Sequence, residues 1–146
     1  MEQDTTTFYV WIGGSCDYGH KERAGGAAVV IEHNGNIISR DVISDLYTTE
    51  FRMMLTLMVK VMHDLPENSD ILFLTNAAYI QNFDKTPTEK SANSDLIARC
   101  IEAKSGHKSV CVKIVQYHKS PLLIETHEMA TEAMSKKRKE YHHDNK

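Results

Sequence analysis

The stretch Ala27-Ala28-Val29-Val30-Ile31-Glu32-His33-Asn34-Gly35-Asn36-Ile37-Ile38-Ser39-Arg40-Asp41-Val42-Ile43 decides the architecture. Two β-branched runs flank Asn34-Gly35, a dipeptide that accepts positive φ at both central positions of a tight turn, so the stretch predicts a β-hairpin. Upstream, Phe8-Tyr9-Val10-Trp11-Ile12 is a third strand-like run, aromatic and β-branched, with Gly13-Gly14 expected to stop it. A polar connection over residues 15–26 leads into the hairpin, and a three-stranded antiparallel meander is the simplest arrangement. Downstream the periodicity changes. Phe51, Met54, Leu55, Met58, Val59 and Met62 follow the spacing of an amphipathic helix, with Thr48 or Thr49 as N-cap and Pro66 beyond the end.

The remaining chain alternates between the two periods. Ile71-Leu72-Phe73-Leu74 is a continuous apolar run, the pattern of a strand covered on both faces. A short helix is expected over 77–82, then a polar loop over 84–92 containing Pro87. Asn93 or Ser94 can cap a helix through Leu96, Ile97, Cys100 and Ile101 that ends near Gly106. A last strand covers 110–115 and a terminal helix 124–139. The expected fold is mixed α/β with the order β-β-β-α-β-α-α-β-α: a five-stranded mixed sheet with helices on both faces. It forms one domain over 1–146, with an ordered core at about 7–139 and a polar tail at 140–146.

Composition narrows the function classes. A chain of 146 residues fits one domain on the usual scale of ~100–200 residues. It can bury roughly two-thirds of its unfolded surface, so no metal or disulfide is needed to hold its core. Seventeen Lys and Arg against 20 Asp and Glu give a net charge of −3, which excludes a strongly basic nucleic-acid coat but not a local patch. Cys16, Cys100 and Cys111 are odd in number and form no CxxC pair, so a disulfide scaffold is not expected and a cytoplasmic setting is. The N-terminal residues lack a signal-peptide pattern, and no run approaches the ~18 apolar residues of a membrane span.

Several strings, in order and spacing, resemble the type 1 ribonuclease H family over nearly the whole chain. Ile12-Gly13-Gly14-Ser15-Cys16 stands where that family has a strand ending in Asp-Gly-Ser-Cys, and Thr49-Glu50-Phe51-Arg52-Met53-Met54-Leu55 where it has Thr-Asn-Asn-Arg-Met-Glu-Leu. Thr75-Asn76-Ala77-Ala78-Tyr79-Ile80 is similar to Thr-Asp-Ser-x-Tyr-Val, Asn93-Ser94-Asp95-Leu96 to Asn-x-Asp-Leu, and Val115-Gln116-Tyr117-His118 to Val-x-Gly-His. Counted onward, the family's last acid falls on Glu128. The resemblance implies a ribonuclease H-like fold. It also implies, in an active member, two Mg²⁺ ions held by four carboxylates for cleavage of the RNA strand of an RNA–DNA hybrid. The matching positions here are Gly13, Met54, Asn76 and Glu128, so one carboxylate of four remains. A thioether or a neutral amide is a poor partner for a hard cation. The two asparagines with which the family reads the hybrid correspond to Glu50 and Phe51. Ser15, Thr49 and Lys119 are the positions left for contact with nucleic acid.

Other residues admit a chemical and a structural reading. Glu50, one turn before Met54, and Asp17, just past the first strand, could replace lost acids; favouring a helix N-terminus and lying solvated in a loop are the simpler roles. Glu125 and Glu128 share a helical face, with His127 pointing elsewhere, and read as an acidic helix start. Asn76 with Glu128 is the one pair left for a weak cation site. Lys136-Lys137-Arg138-Lys139 reads as a solvated helix end rather than a phosphate contact, and His142-His143 as a frayed tail. Met53, Met54, Met58 and Met62 read as core.

The expected protein is therefore a catalytically degenerate ribonuclease H-like pseudoenzyme, a non-catalytic interaction or nucleic-acid-associated module that requires no cofactor. Two alternatives stand beside it. One is a divergent nuclease that uses Mg²⁺ on a rebuilt site; the other is a scaffold for a protein partner or a homodimer. A membrane is not expected among its partners.

Overall fold

The computed structural model describes residues 6–85 and 93–144. The elements are β1 (Thr7–Cys16), β2 (Gly25–His33), β3 (Asn36–Asp45), α1 (Glu50–Asp64), β4 (Asp70–Thr75), α2 (Ser94–Ser105), β5 (Ser109–Ile114) and α3 (Pro121–Asp144), with short 3₁₀ turns at Ala78–Asn82 and Tyr117–Lys119. The sheet order is β3-β2-β1-β4-β5. β1, β2 and β3 form the antiparallel meander, while β1, β4 and β5 run parallel. At the hairpin, Asn34 and Gly35 take φ values of 53° and 78°, the paired positive values such a turn requires.

Alternation along β1 divides the molecule into two layers. Val10 and Ile12 enter a core with Ala27, Val29 and Ile31 of β2 and with Met54, Leu55, Met58 and Met62 of α1. All four methionines named above are buried, so that stripe is core. α2 backs onto α1. The other face of β1 and β2 carries Ala28 and Val30 and receives α3 through buried Leu123, Thr126 and Ala130. Helices therefore cover both faces. Thr49 caps α1, its hydroxyl accepting from Arg52 N–H at 3.1 Å. Asn93 does not cap α2 through its side chain; it adopts φ 63° and accepts from the Arg52 guanidinium, which also grips Asp95.

Four local expectations change. β1 does not stop at Gly13-Gly14 but continues to Cys16, because here glycine admits close neighbours on both faces of the sheet instead of breaking the strand. The short helix expected over 77–82 is a 3₁₀ turn at Ala78–Asn82. The terminal helix starts three residues early, at Pro121, whose fixed φ and missing N–H suit a first helical position. It also runs on to Asp144, so residues 140–144 are helical and not a tail, and His142 is engaged with Glu22. The loop expected over 84–92 lies largely outside the described residues, Pro87 included. No helix among the described residues is long and apolar enough to cross a membrane.

Candidate functional site

β1 and β4 lie side by side and parallel, with Trp11 opposite Leu74. Two residues beyond that rung are Gly13 and Asn76, which brings two of the four family-equivalent positions to one end of the sheet. α1 supplies Glu50 and Met54 from one face, and α3 supplies Thr126 and His127 from the other.

The glycines sit under direct pressure from both helices. A Cβ on Gly13 would lie 2.8 Å from Thr126 Oγ1 and 3.1 Å from His127 Cδ2; one on Gly14 would lie 2.8 Å from Met54 Cγ and 2.9 Å from Glu50 Cγ. The space an acidic side chain at Gly13 would need is already filled by α3.

The polar groups around the glycines satisfy one another. His127 Nε2 lies 3.0 Å from Asn76 Oδ1, and the ring also bonds the Gly14 backbone. Tyr79 donates its hydroxyl to Glu50 Oε1 at 2.6 Å, sits 3.7 Å from Met54 Sδ and packs edge-on against Phe51. Glu50 N–H donates to the Tyr18 hydroxyl. Tyr117 packs edge-on against His127, ring centroids 5.1 Å apart.

Burial pushes the His127 pKa down, opposed by the Glu50 charge and the Gly14 backbone bond. Burial, with the Glu50 carboxylate beside it, pushes the Tyr79 hydroxyl well up, so it stays a donor. The sign for His127 follows from linkage. A histidine whose folded pKa lies below its unfolded value of about 6.5 leaves the unfolded chain holding more protons in that window, so stability is lost as pH falls through it. Urea denaturation at stepped pH should show this loss, and His127→Gln should remove that part of the slope.

The sequence-derived positions are thus redistributed. Glu128 is exposed and lines an open groove with Tyr117, His127, Thr131 and Glu132, while His127, expected to point elsewhere, reaches Asn76. Glu125 is spent on Arg40, with oxygens 3.2 and 3.4 Å from the guanidinium. Asp17 is held by Arg138 and His20 in the β1–β2 loop. Ser15 faces α3, its hydroxyl 3.5 Å from Met134 Sδ, and the Thr49 side chain is occupied in capping. Lys119 is exposed on the turn before α3. His127 and Tyr79 are the members sequence reasoning missed. For His127 a signal existed: Leu123, Thr126, Ala130 and Met134 recur at three and four residues with small members among them, which marks the inward stripe of α3.

A divalent-metal pair does not fit this donor set. Gly13 offers no ligand, Met54 a thioether against Gly14, Asn76 an amide engaged by His127, and Glu128 points to solvent. Among the described residues no three His, Cys, Asp or Glu side chains converge as a metal site.

No family model and no curated protein matches the sequence. Solved structures do match. The chain is similar to LC9-RNase H1, described as a type 1 RNase H with the type 2 active-site motif: 20% identity, 94% of this chain, 76% of that one, TM-score 0.76. It is similar to ribonuclease H1 from the halophilic archaeon Halobacterium salinarum, with 14% identity over 89% of this chain and 98% of that one, TM-score 0.68. It is also similar to the N-terminal ribonuclease H domain of Rv2228c from Mycobacterium tuberculosis, fused to maltose-binding protein, with 10% identity over 93% and 99% and TM-score 0.71. With most of each chain superposed, this protein, a mixed five-stranded sheet between helices, has a ribonuclease H-like fold.

Proposed function

We propose that this domain is a catalytically degenerate ribonuclease H-like module that works by binding and not by hydrolysis, with nucleic acid the partner class its fold suggests. The observation that carries the reading is the occupied space at Gly13, where Thr126 and His127 stand in contact with the strand. A two-metal mechanism needs several anionic oxygens around a pair of cations ~3.5–4 Å apart. Here the remaining polar groups are consumed in two closed pairs, His127 with Asn76 and Glu50 with Tyr79. Glu50, the acid best placed to substitute, has one oxygen on the Tyr79 hydroxyl and belongs to no cluster of three His, Cys, Asp or Glu among the described residues. Of the nucleic-acid positions, Lys119 is the exposed cation with no ion pair among the described residues, so binding should be weak, with the shallow salt dependence of about one phosphate contact.

The test joins binding to cleavage. Labelled RNA–DNA hybrid, double-stranded RNA and single strands are titrated by fluorescence anisotropy, with strand integrity followed in Mg²⁺ and in Mn²⁺. The expected result is no cleavage of any substrate and salt-sensitive binding that Lys119→Glu diminishes. Metal-dependent cleavage lost on Glu128→Gln would overturn the reading in favour of an active nuclease.

A further inference from the structure

The C-terminal turns of α3 extend past the site and lie against the β1–β2 loop, residues 17–24. Two contacts of different kinds hold them there. Arg138 donates to Asp17 Oδ2 at 2.7 Å, and Asp17 also bonds His20 Nδ1 at 2.7 Å. These bonds hold the Asp17 carboxyl below the usual range, so it stays an anion and the Arg138 tether is permanent. The second contact is conditional. Glu22, only 6% exposed, places Oε1 2.7 Å from His142 Nε2, and that oxygen has no hydrogen-bond donor.

A buried carboxylate with no donor is costly unless a charge faces it. At 2.7 Å the His142 ring answers the Glu22 charge most strongly as an imidazolium. A neutral ring offers that buried carboxylate at most one uncharged donor. The titratable and charged groups around His142 are Asp17, His20 and Glu22 from the loop, Tyr47 from the segment after β3, and Arg138 and Tyr141 from α3. The His20 ring stands edge-on to His142 at 6.0 Å and answers to its own carboxylate, Asp17. Each histidine thus has one acid, and Glu22 is the acid that depends on His142.

We propose that the last turns of α3 are a pH-sensitive strap, fastened to the β1–β2 loop when His142 is protonated and loosened when it is neutral. The sign is acid-fastening: the charged Glu22–His142 contact requires an ionised carboxylate and a protonated imidazole. The strap also carries Lys136, Lys137 and Glu140, one wall of a groove of about 450 Å³ whose other wall is Val42 and Ser44 of β3. Of that wall, Glu140 alone lies beyond the Arg138 tether, so it is the part that moves when the last turn loosens.

Amide hydrogen exchange on the whole chain tests the strap. Corrected for intrinsic rates, protection of the amides of residues 139–142 is expected to fall on the order of tenfold between about pH 5.5 and about pH 8. Glu22→Gln and His142→Gln should each abolish that dependence. His20→Gln should retain it, and Asp17→Asn should lower protection at both pH values without removing the difference. Equal wild-type protection at both pH values overturns the proposal, as does a pH dependence that survives in Glu22→Gln.

Discussion

Gly26→Ala is expected to destabilise the domain by about 3 kcal/mol or more, beyond the usual cost of overpacking by one methyl group. The position is opposite Ser15 in the β1–β2 ladder and faces α3. A Cβ there would lie 2.4 Å from Ala130 O and 3.0 Å from Met134 N. Both are backbone atoms of a helix and cannot swing aside as a side chain can. α3 would have to lift by roughly 1 Å to restore ordinary contact distances, which breaks the packing of buried Leu123, Thr126 and Ala130 along its length. Urea denaturation measures the loss. For a chain of this size it should appear as a drop in Tm of roughly 6–12 °C. Gly19→Ala is the control: its Cβ would meet only Asp17 Oδ1 at 3.4 Å, and the change should stay within about 0.5 kcal/mol. Equal effects at the two glycines would mean that α3 does not rest on β2 as described.

Gly13→Asp is the second large effect, and its direction runs against the intuition that restoring an acid restores activity. The new side chain would enter a buried position with Thr126 Oγ1 at 2.8 Å and the His127 ring just beyond. Overpacking together with a partly desolvated carboxylate should cost about 2–4 kcal/mol. No metal-dependent cleavage is expected from Gly13→Asp alone. Nor is any expected when Met54→Glu and Asn76→Asp are added, because α3 still occupies the space between them. Thr126→Ala removes the colliding oxygen, so a double-mutant cycle between Gly13→Asp and Thr126→Ala should show a favourable coupling of about 1 kcal/mol or more. Strict additivity would separate the two residues, and hybrid cleavage by the triple variant would show that α3 leaves room for a metal pair once acids are supplied. The outcome distinguishes a site that has lost its ligands from one that has been filled.

Much of the fold was legible because its signals are local. Asn34-Gly35 dictates a turn whatever surrounds it, and the methionine-rich spacing after Thr49 dictates one buried helical face. The absence of acids at Gly13, Met54 and Asn76 is equally visible in the chain. Less legible was anything that depends on what a residue touches. Gly13-Gly14 reads locally as a breaker and is in fact a packing surface inside a ten-residue strand. Residues 140–144 read as a polar tail; they remain helical where Arg138 and His142 meet partners 121 and 120 residues away in the chain.

The sequence by itself determined most of the strand and helix pattern, the sheet class, and the absence of acids at Gly13, Met54 and Asn76. Only the tertiary structure decided what took their place. Which side of α3 faces the sheet depends on the rotation of that helix, and the rotation is set by backbone contact at Gly26 and side-chain contact at Gly13. That contact turns His127 inward onto Asn76 and leaves Glu128, one residue later and about 100° around the helix, in solvent. A one-residue step along a helix is invisible to spacing arguments until the surface it rests on is known.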